Sequence, residues 1–256
     1  MIDLGPYTGK GFPGNWDKSL AEISVKGIDR IQAQSMVRLC RQTEPVLYGP
    51  DFSPTKIRYQ AGSRPALERI VATLPGRGAQ EKATAAMSWV IRHVDHPHFA
   101  GMTAPDRAMS EEDLIVSGRG WCNEQTRVFI ALCEVMEIPA RLCFLFHANG
   151  VCGHTAAEVY LRGRWAFFDV TFGVTVTRPD GLPAEGRELS GPLRQLAHKA
   201  YRPAIEDYEK RVLPYVDEVP GWGRAHRPSV DLGGDLLDLL GICNYLIQGV
   251  EPVRSR

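Results

Sequence analysis

Apolar residues recur at steps of three and four in the middle of the chain, and that spacing predicts amphipathic helices. One helix is predicted from about Gln80 to His93, and a stronger one begins at Trp121-Cys122 and ends before Pro139. Between them, Ser110 is followed by three acidic residues, which predicts the N-cap and first turn of a short helix. The pattern therefore places packed helices ahead of residue 140.

Three strand-like segments follow these helices: Arg141 to Phe146, Thr155 to Leu161 and Trp165 to Val170. Only Arg162-Gly163-Arg164 separates the last two segments, a length that favours a hairpin turn. A helix followed by an antiparallel meander predicts an α+β fold, in which the helix packs on an antiparallel sheet.

Pattern and breakers divide the chain into three predicted regions: a mostly helical N-terminal extension at 1–77, a core at 78–173 and a helical C-terminal extension packed on the core at 174–256. In the C-terminal extension, residues 192–213 predict one or two helices that are broken near Pro203, because proline removes a helix hydrogen bond. A last helix is predicted from Val230 to Ile247.

The composition is ordinary for a globular protein, with 44% hydrophobic and 23% charged residues in 256. Basic and acidic residues number 30 each, so the net charge indicates neither nucleic acid nor an anionic membrane as partner. The start of the chain lacks the pattern of a signal peptide, and no apolar run is long enough to span a bilayer, which predicts a cytoplasmic protein.

The sequence shows no cofactor motif and no convincing set of metal ligands. Its six cysteines include no Cys-x-x-Cys pair, so they are interpreted as reduced thiols and not as a zinc knuckle. His93, His96 and His98 lie close in sequence, but Pro97 intervenes and the spacing fits no compact metal site. We therefore expect neither a metal nor another cofactor.

Cys122, His154 and Asp169 are the side chains that thiol-based acyl transfer requires, in that order along the chain. Cys122 is predicted at the first turn of a helix, where unpaired N–H groups and the helix dipole favour a thiolate. His154 and Asp169 fall on consecutive strand segments, so their side chains can meet if they face the same side. We predict that Cys122 is the nucleophile, His154 its proton shuttle and Asp169 the group that orients His154.

Three further residues are candidates for contact with a substrate. Trp89 and Trp121 are candidate cleft residues, although buried packing is the more common fate of tryptophan. Gln125 is expected one turn into the helix that begins at Cys122, where it would touch substrate, face solvent or cap the helix.

Four segments, in the same order, resemble the transglutaminase-like superfamily: Gly120-Trp121-Cys122, Ile138-Pro139-Ala140-Arg141, Gly153-His154-Thr155-Ala156 and Trp165-Ala166-Phe167-Phe168-Asp169-Val170-Thr171. The resemblance implies a papain-like α+β core with a Cys-His-Asp triad on Cys122, His154 and Asp169. Glu137 departs from the pattern, because many members of the family have glycine before Ile-Pro-Ala-Arg.

The family includes protein crosslinkers, peptidases, amidases, amide-forming enzymes and members without activity. The resemblance implies acyl transfer or hydrolysis at an amide or thioester, through a thioester acyl-enzyme, on a peptide, protein or small-molecule substrate. Trp121 precedes the cysteine, whereas in the animal crosslinking enzymes a tryptophan follows it, so the resemblance gives no specific assignment as a crosslinker. The alternative is a catalytically inactive scaffold or interaction protein. The oligomeric state stays open.

Overall fold

The computed structural model describes residues 61–96, 109–146, 152–189, 191–216 and 243–244. Most of the predicted N-terminal extension, and most of the helix predicted from Val230 to Ile247, lie outside these residues. The described elements, numbered in chain order, are α1 (Pro65–Thr73), α2 (Ala79–His93), α3 (Glu111–Ser117), α4 (Cys122–Val135), β1 (Ala140–Phe146), β2 (Cys152–Leu161), β3 (Arg164–Asp169), β4 (Val174–Thr175), α5 (Gly186–Leu189), α6 (Arg194–Val216) and β5 (Cys243–Asn244).

The strands form one antiparallel sheet in the order β4-β3-β2-β1-β5. The hairpin between β2 and β3 turns at Arg162 and Gly163, whose φ angles of 54° and 82° are both positive. Two positive φ angles are typical of a type I′ turn, whose twist matches that of the flanking strands. Helices that pack on this sheet make the fold α+β, and the predicted fold class is confirmed.

The main core lies between α4 and one face of the sheet. Val128, Phe129 and Leu132 of α4 are fully buried, and the Phe129 ring stacks on Phe168 of β3 with centroids 5.7 Å apart. Helices α1, α2 and α3 close the other sides of α4, each with at least one fully buried apolar side chain. Because the buried residues of α4 recur at helical spacing, packing holds α4 in position along most of its length.

The opposite face of the sheet is also buried. Along β3, Ala166 and Phe168 belong to the main core, while Trp165 and Phe167 alternate with them and are equally buried. Residues after β4 lie on this second face, since Gly186 at the start of α5 donates a backbone hydrogen bond to Glu158 of β2. The continuous apolar run in β3 is therefore explained by burial on two faces.

Helix α6 runs through Pro203 without a break, so the break predicted there is wrong. Its buried residues Ala197, Tyr201 and Ile205 recur every four positions and form one stripe. Pro203 lies on the exposed side of the helix. Burial of the stripe offsets the hydrogen bond that proline cannot donate, and the helix continues.

Cys243 and Asn244 form strand β5 and pair with Leu145 and Phe144 of β1. The helix predicted from Val230 to Ile247 is therefore wrong at these two positions. An apolar segment of this length fits a buried helix or a buried strand, and periodicity alone does not separate them.

Candidate active site

Cys122 is the first residue of α4, and its thiol is half-buried. The N-cap residue Trp121 makes no side-chain capping bond. The N–H groups of the first turn, which form the positive end of the helix dipole, therefore lie beside the sulfur without a capping side chain. Gly120 allows this turn to form, since a Cβ atom there would lie 2.7 Å from Cβ of Glu124. The location favours an anionic sulfur.

His154 and Asp169 lie on the same side of the sheet. Ala157 pairs with Phe168, and one further step of that register sets Asp169 opposite Ala156, which shares a face with His154. The result is a hydrogen bond of 2.7 Å between Nε2 of His154 and Oδ2 of Asp169. Both residues are buried: His154 is 5% exposed and Asp169 is 0% exposed.

The thiol of Cys122 and the imidazole of His154 form a hydrogen-bonded pair in which the pKa of the thiol is lowered and the pKa of the imidazole is raised. Burial has the largest influence on Cys122 and would raise its pKa, but the hydrogen bond and charge of His154, together with Thr155, outweigh it and lower the pKa. Burial likewise would lower the pKa of His154, but the charge and hydrogen bond of Asp169, assisted by Cys122, raise it to about 10. At a pH above the lowered pKa of Cys122 and below the raised pKa of His154, the pair is a thiolate and an imidazolium.

Cys133, on the same helix, provides the contrast. It is fully buried, and burial alone raises the pKa of its thiol. Cys122 differs because His154 and both the backbone N–H and the hydroxyl of Thr155 bond its sulfur. Sequence reasoning missed Thr155 as a thiol partner, although it directly follows the histidine.

Gln125 lies one turn into α4 and is 3% exposed. Its amide donates to the backbone oxygen of Val94 at 2.7 Å and accepts from the Thr171 hydroxyl at 2.8 Å. These bonds connect α4 to the end of α2 and to the turn after β3. Contact between Gln125 and a substrate stays a prediction, and the geometry favours a role in holding these segments together.

The two tryptophans predicted to line a cleft lie in different surroundings. Trp89 is half-buried on α2, packs against the main core and stacks on His93 with ring centroids 4.2 Å apart. Trp121 is half-buried and directly precedes Cys122 in the chain. Contact of either with substrate stays a prediction, and of the two only Trp121 is placed beside Cys122.

No group of three His, Cys, Asp or Glu side chains in the described parts of the chain is arranged to hold a metal ion; His98 lies outside them. A cavity of about 770 Å³ is lined by residues near the start of α2 and by Arg162, so it is separate from Cys122. Among the helices that the structure describes, none is long and apolar enough to cross a membrane.

Asp169 has one further partner that sequence reasoning did not identify. The Tyr201 hydroxyl of α6 donates to Oδ2 at 2.5 Å, and the N–H groups of Thr171 and Phe172 donate to Oδ1 at 3.0 and 3.1 Å. Tyr201 lies 32 residues after Asp169, and nothing in the local sequence pattern connects the two.

Comparison with known proteins shows which family the middle of the chain resembles. A family model described as the transglutaminase-like superfamily matches residues 67–170. No curated protein matches the chain.

Solved structures that align with parts of the chain include the following three. A "putative protease" from Parabacteroides distasonis ATCC 8503 is 9% identical over 42% of this chain and 23% of its own, with a TM-score of 0.35. A "putative cysteine protease" from Cytophaga hutchinsonii is 25% identical over 56% and 48%, with a TM-score of 0.34. A structure described as that of a "TGase" is 16% identical over 45% of this chain and 34% of its own, with a TM-score of 0.34.

The chain thus spans less than half the length of each of these three structures. The family model, in contrast, covers α4, β1, β2 and β3, but not Thr171, Phe172 or Tyr201. Residues 67–170, which hold Cys122, His154 and Asp169, are similar to the transglutaminase-like superfamily.

Proposed function

We propose that this protein is a transglutaminase-like cysteine enzyme that performs acyl transfer or hydrolysis at an amide or thioester. One observation carries the proposal. Cys122 is the first residue of α4, and its thiol forms a hydrogen bond with His154. Nε2 of His154 in turn forms a hydrogen bond of 2.7 Å with the buried carboxylate of Asp169. A nucleophile, a base and a group that orients the base are the parts that covalent acyl transfer needs.

In the first half of the reaction, the Cys122 thiolate attacks the substrate carbonyl carbon and an S–C bond forms. In this step the backbone N–H of Cys122 donates to the developing oxyanion, a role supported by its position in the first turn of α4, where N–H groups lack helical partners. The bond from the carbonyl carbon to the leaving amine or thiol then breaks, and the imidazolium of His154 gives its proton to that leaving group. The product is a thioester acyl-enzyme with neutral His154.

In the second half, water or an amine attacks the thioester carbonyl, and His154 accepts the proton of the attacking group. The S–C bond breaks, which releases an acid or a new amide and restores the thiolate and imidazolium. Asp169 keeps Nε2 of His154 in its hydrogen bond throughout, so Nδ1 is the ring nitrogen that serves Cys122.

The test is brief treatment with iodoacetamide at neutral pH, followed by intact-protein and peptide mass spectrometry. Wild-type protein is expected to gain one adduct at Cys122, because a thiolate reacts far faster than a thiol. Cys133 is an internal control, since burial raises the pKa of its thiol. His154→Ala is expected to lose the selectivity, and Cys122→Ser to lose the adduct.

Slow and equal labelling of all six cysteines would reject the proposal and favour the catalytically inactive scaffold. If Cys122 is selective, a panel of amide and thioester compounds is tested for a trapped acyl adduct on the intact protein. Addition of a primary amine then separates the two outcomes, because a transferase forms the new amide whereas a hydrolase releases the acid.

A further inference from the structure

The carboxylate of Asp169 accepts hydrogen bonds on both oxygens. Backbone N–H groups of Thr171 and Phe172 occupy Oδ1, and both His154 Nε2 and the Tyr201 hydroxyl bond Oδ2. An ionised carboxylate offers about four acceptor positions, so this site is matched to the charged form. Tyr201 therefore shares the same oxygen on which His154 depends.

Tyr201 comes from a part of the chain beyond the family match. Residues 67–170 match the family, whereas α6 begins at Arg194. Tyr201 is nevertheless fully buried on the apolar stripe of α6. Phe172 packs edge-on against both rings, with centroids 5.3 Å from His154 and 6.0 Å from Tyr201. The three rings fix the position of the phenol relative to the imidazole.

We propose that Tyr201 is a positioning residue that acts on Cys122 through Asp169 and His154. Its hydroxyl holds Oδ2 in the position that orients the imidazole, and it takes up part of the negative charge of the carboxylate. The inference rests on the proposed function, since it assigns a role in the same reaction. It extends the active site into the C-terminal extension.

The charge effect has a definite sign. Loss of the hydroxyl, with the ring kept in place, leaves the charge of Asp169 less neutralised in a dry site, so Asp169 attracts the His154 imidazolium more strongly. The thiolate–imidazolium pair is then stabilised, and the pH at which Cys122 ionises falls. Asp169, His154, Cys122 and Tyr201 are the titratable groups joined by this network, and Glu124, 1% exposed in the first turn of α4, is the nearest further carboxyl in sequence to Cys122.

The orienting effect acts on the rate at the plateau of the pH profile. With one bond to Oδ2 gone, the imidazole is held less well, and turnover is expected to fall about two- to tenfold, which corresponds to one hydrogen bond of ordinary strength. A shifted acid limb together with a lower plateau distinguishes positioning from simple packing, because packing alone changes thermal stability and leaves the acid limb in place.

The experiment measures the rate of Cys122 alkylation by iodoacetamide against pH in wild type and Tyr201→Phe. Tyr160→Phe is the matched control, since Tyr160 lies on the same sheet and packs edge-on against Trp165, and its profile should equal wild type. In Tyr201→Phe, Cys122 is expected to ionise at lower pH than in wild type and to react more slowly with iodoacetamide at the plateau. In an Asp169→Asn background, Tyr201→Phe should cause no further shift, because its effect passes through the carboxylate.

A second variant keeps the hydroxyl: Tyr201→3-fluorotyrosine makes the phenol a stronger donor and should move the acid limb to higher pH. The inference is overturned if wild type labels selectively at Cys122 while both variants at position 201 share its acid limb. Failure of the proposed function is a different result, because wild type itself would then show no selective labelling.

Discussion

The sulfur of Cys122 depends on two neighbours in β2. His154, as the imidazolium, donates one hydrogen bond to the sulfur, and Thr155 donates two, from its hydroxyl and its backbone N–H. All three donors stabilise negative charge, so the thiol ionises below its ordinary range, while Asp169 keeps the imidazolium protonated up to about pH 10. These contacts therefore define a pH window in which Cys122 is a thiolate and His154 is an imidazolium.

Turnover is expected to follow a bell-shaped pH profile with an alkaline limb near pH 10. It rises as pH increases through the lowered pKa of Cys122, because the thiolate forms, and it falls as pH passes the raised pKa of His154, because the imidazolium can no longer protonate the leaving group. Acyl-enzyme formation measured by quenched mass spectrometry across pH tests both limbs. A single rising limb at the ordinary thiol range would contradict the ion pair.

Thr155→Val should raise the pH at which Cys122 ionises, because the hydroxyl bond to the sulfur is lost while the backbone N–H remains. The rate of iodoacetamide alkylation against pH gives the shift directly. Thr175→Val, on the exposed side of β4, is the control and should leave the profile unchanged. Equal profiles for the two variants would show that the Thr155 hydroxyl does not stabilise the thiolate.

Glu137 adopts a left-handed backbone conformation with φ of 56°, in the turn that links α4 to β1. Glycine, which many family members have there, adopts this conformation without the steric cost of a Cβ atom. Glu137→Gly is therefore expected to stabilise the fold by about 1 kcal/mol, seen as a higher midpoint of thermal unfolding.

The opposite substitution, from glycine to a residue with a Cβ atom, can be made at Gly118 as a control. This glycine caps α3 with φ of 65°, and a Cβ there would meet only ordinary contact at 3.5 Å. Gly118→Ala should consequently lose about 1 kcal/mol through backbone strain alone. If Glu137→Gly lowers the midpoint instead, the left-handed turn is not a source of strain.

At the scale of elements, α4 is aligned with the sheet by a polar connection as well as by its apolar face. Gln125 bonds Val94 at the end of α2 and Thr171 after β3, and Thr171 in turn donates its N–H to Asp169. The bonds join α4, which begins with Cys122, to the turn that holds the Asp169 carboxylate. A change in Gln125 should therefore affect both stability and the site.

Gln125→Leu is expected to destabilise the protein by about 1–3 kcal/mol, because two buried polar groups lose their partner. Activity should fall further than stability explains, since α4 and the Asp169 turn lose their connection. Gln195→Leu, an exposed position on α6, is the control and should stay within about 0.5 kcal/mol. Thermal unfolding and Cys122 alkylation, measured at a temperature where all variants are folded, separate the two effects.

The central elements were predictable from sequence because each has a strong local signal. Helical spacing gave α4, and the short Arg162-Gly163-Arg164 connection gave the β2–β3 hairpin. The continuity of α6 through Pro203 was not predictable, because burial of its stripe depends on a sheet face that is distant in sequence. The contact from Tyr201 to Asp169 was missed for the same reason.

At the scale of the whole molecule, the sheet separates two packed layers with different roles. The layer of α1 to α4 forms the main core, and the C-terminal layer with α5 and α6 covers the face on which Asp169 lies. The site is formed where the two layers meet the start of β2 and the end of β3. Separation of α6 from the sheet would admit water to Asp169 and leave the main core intact.

Ile205→Ala tests this division, because Ile205 is 5% exposed on the stripe of α6. The cavity should cost about 2–5 kcal/mol and favour local separation of α6. Water then screens Asp169 from His154, so the pH at which Cys122 ionises should rise, opposite to the shift expected for Tyr201→Phe. Leu67→Ala, in the main core at the first helix, should lower the unfolding midpoint comparably and leave the alkylation profile at 25 °C unchanged. Equal profiles for the two variants would mean that the layers unfold as one unit, and that docking of α6 does not control the site separately.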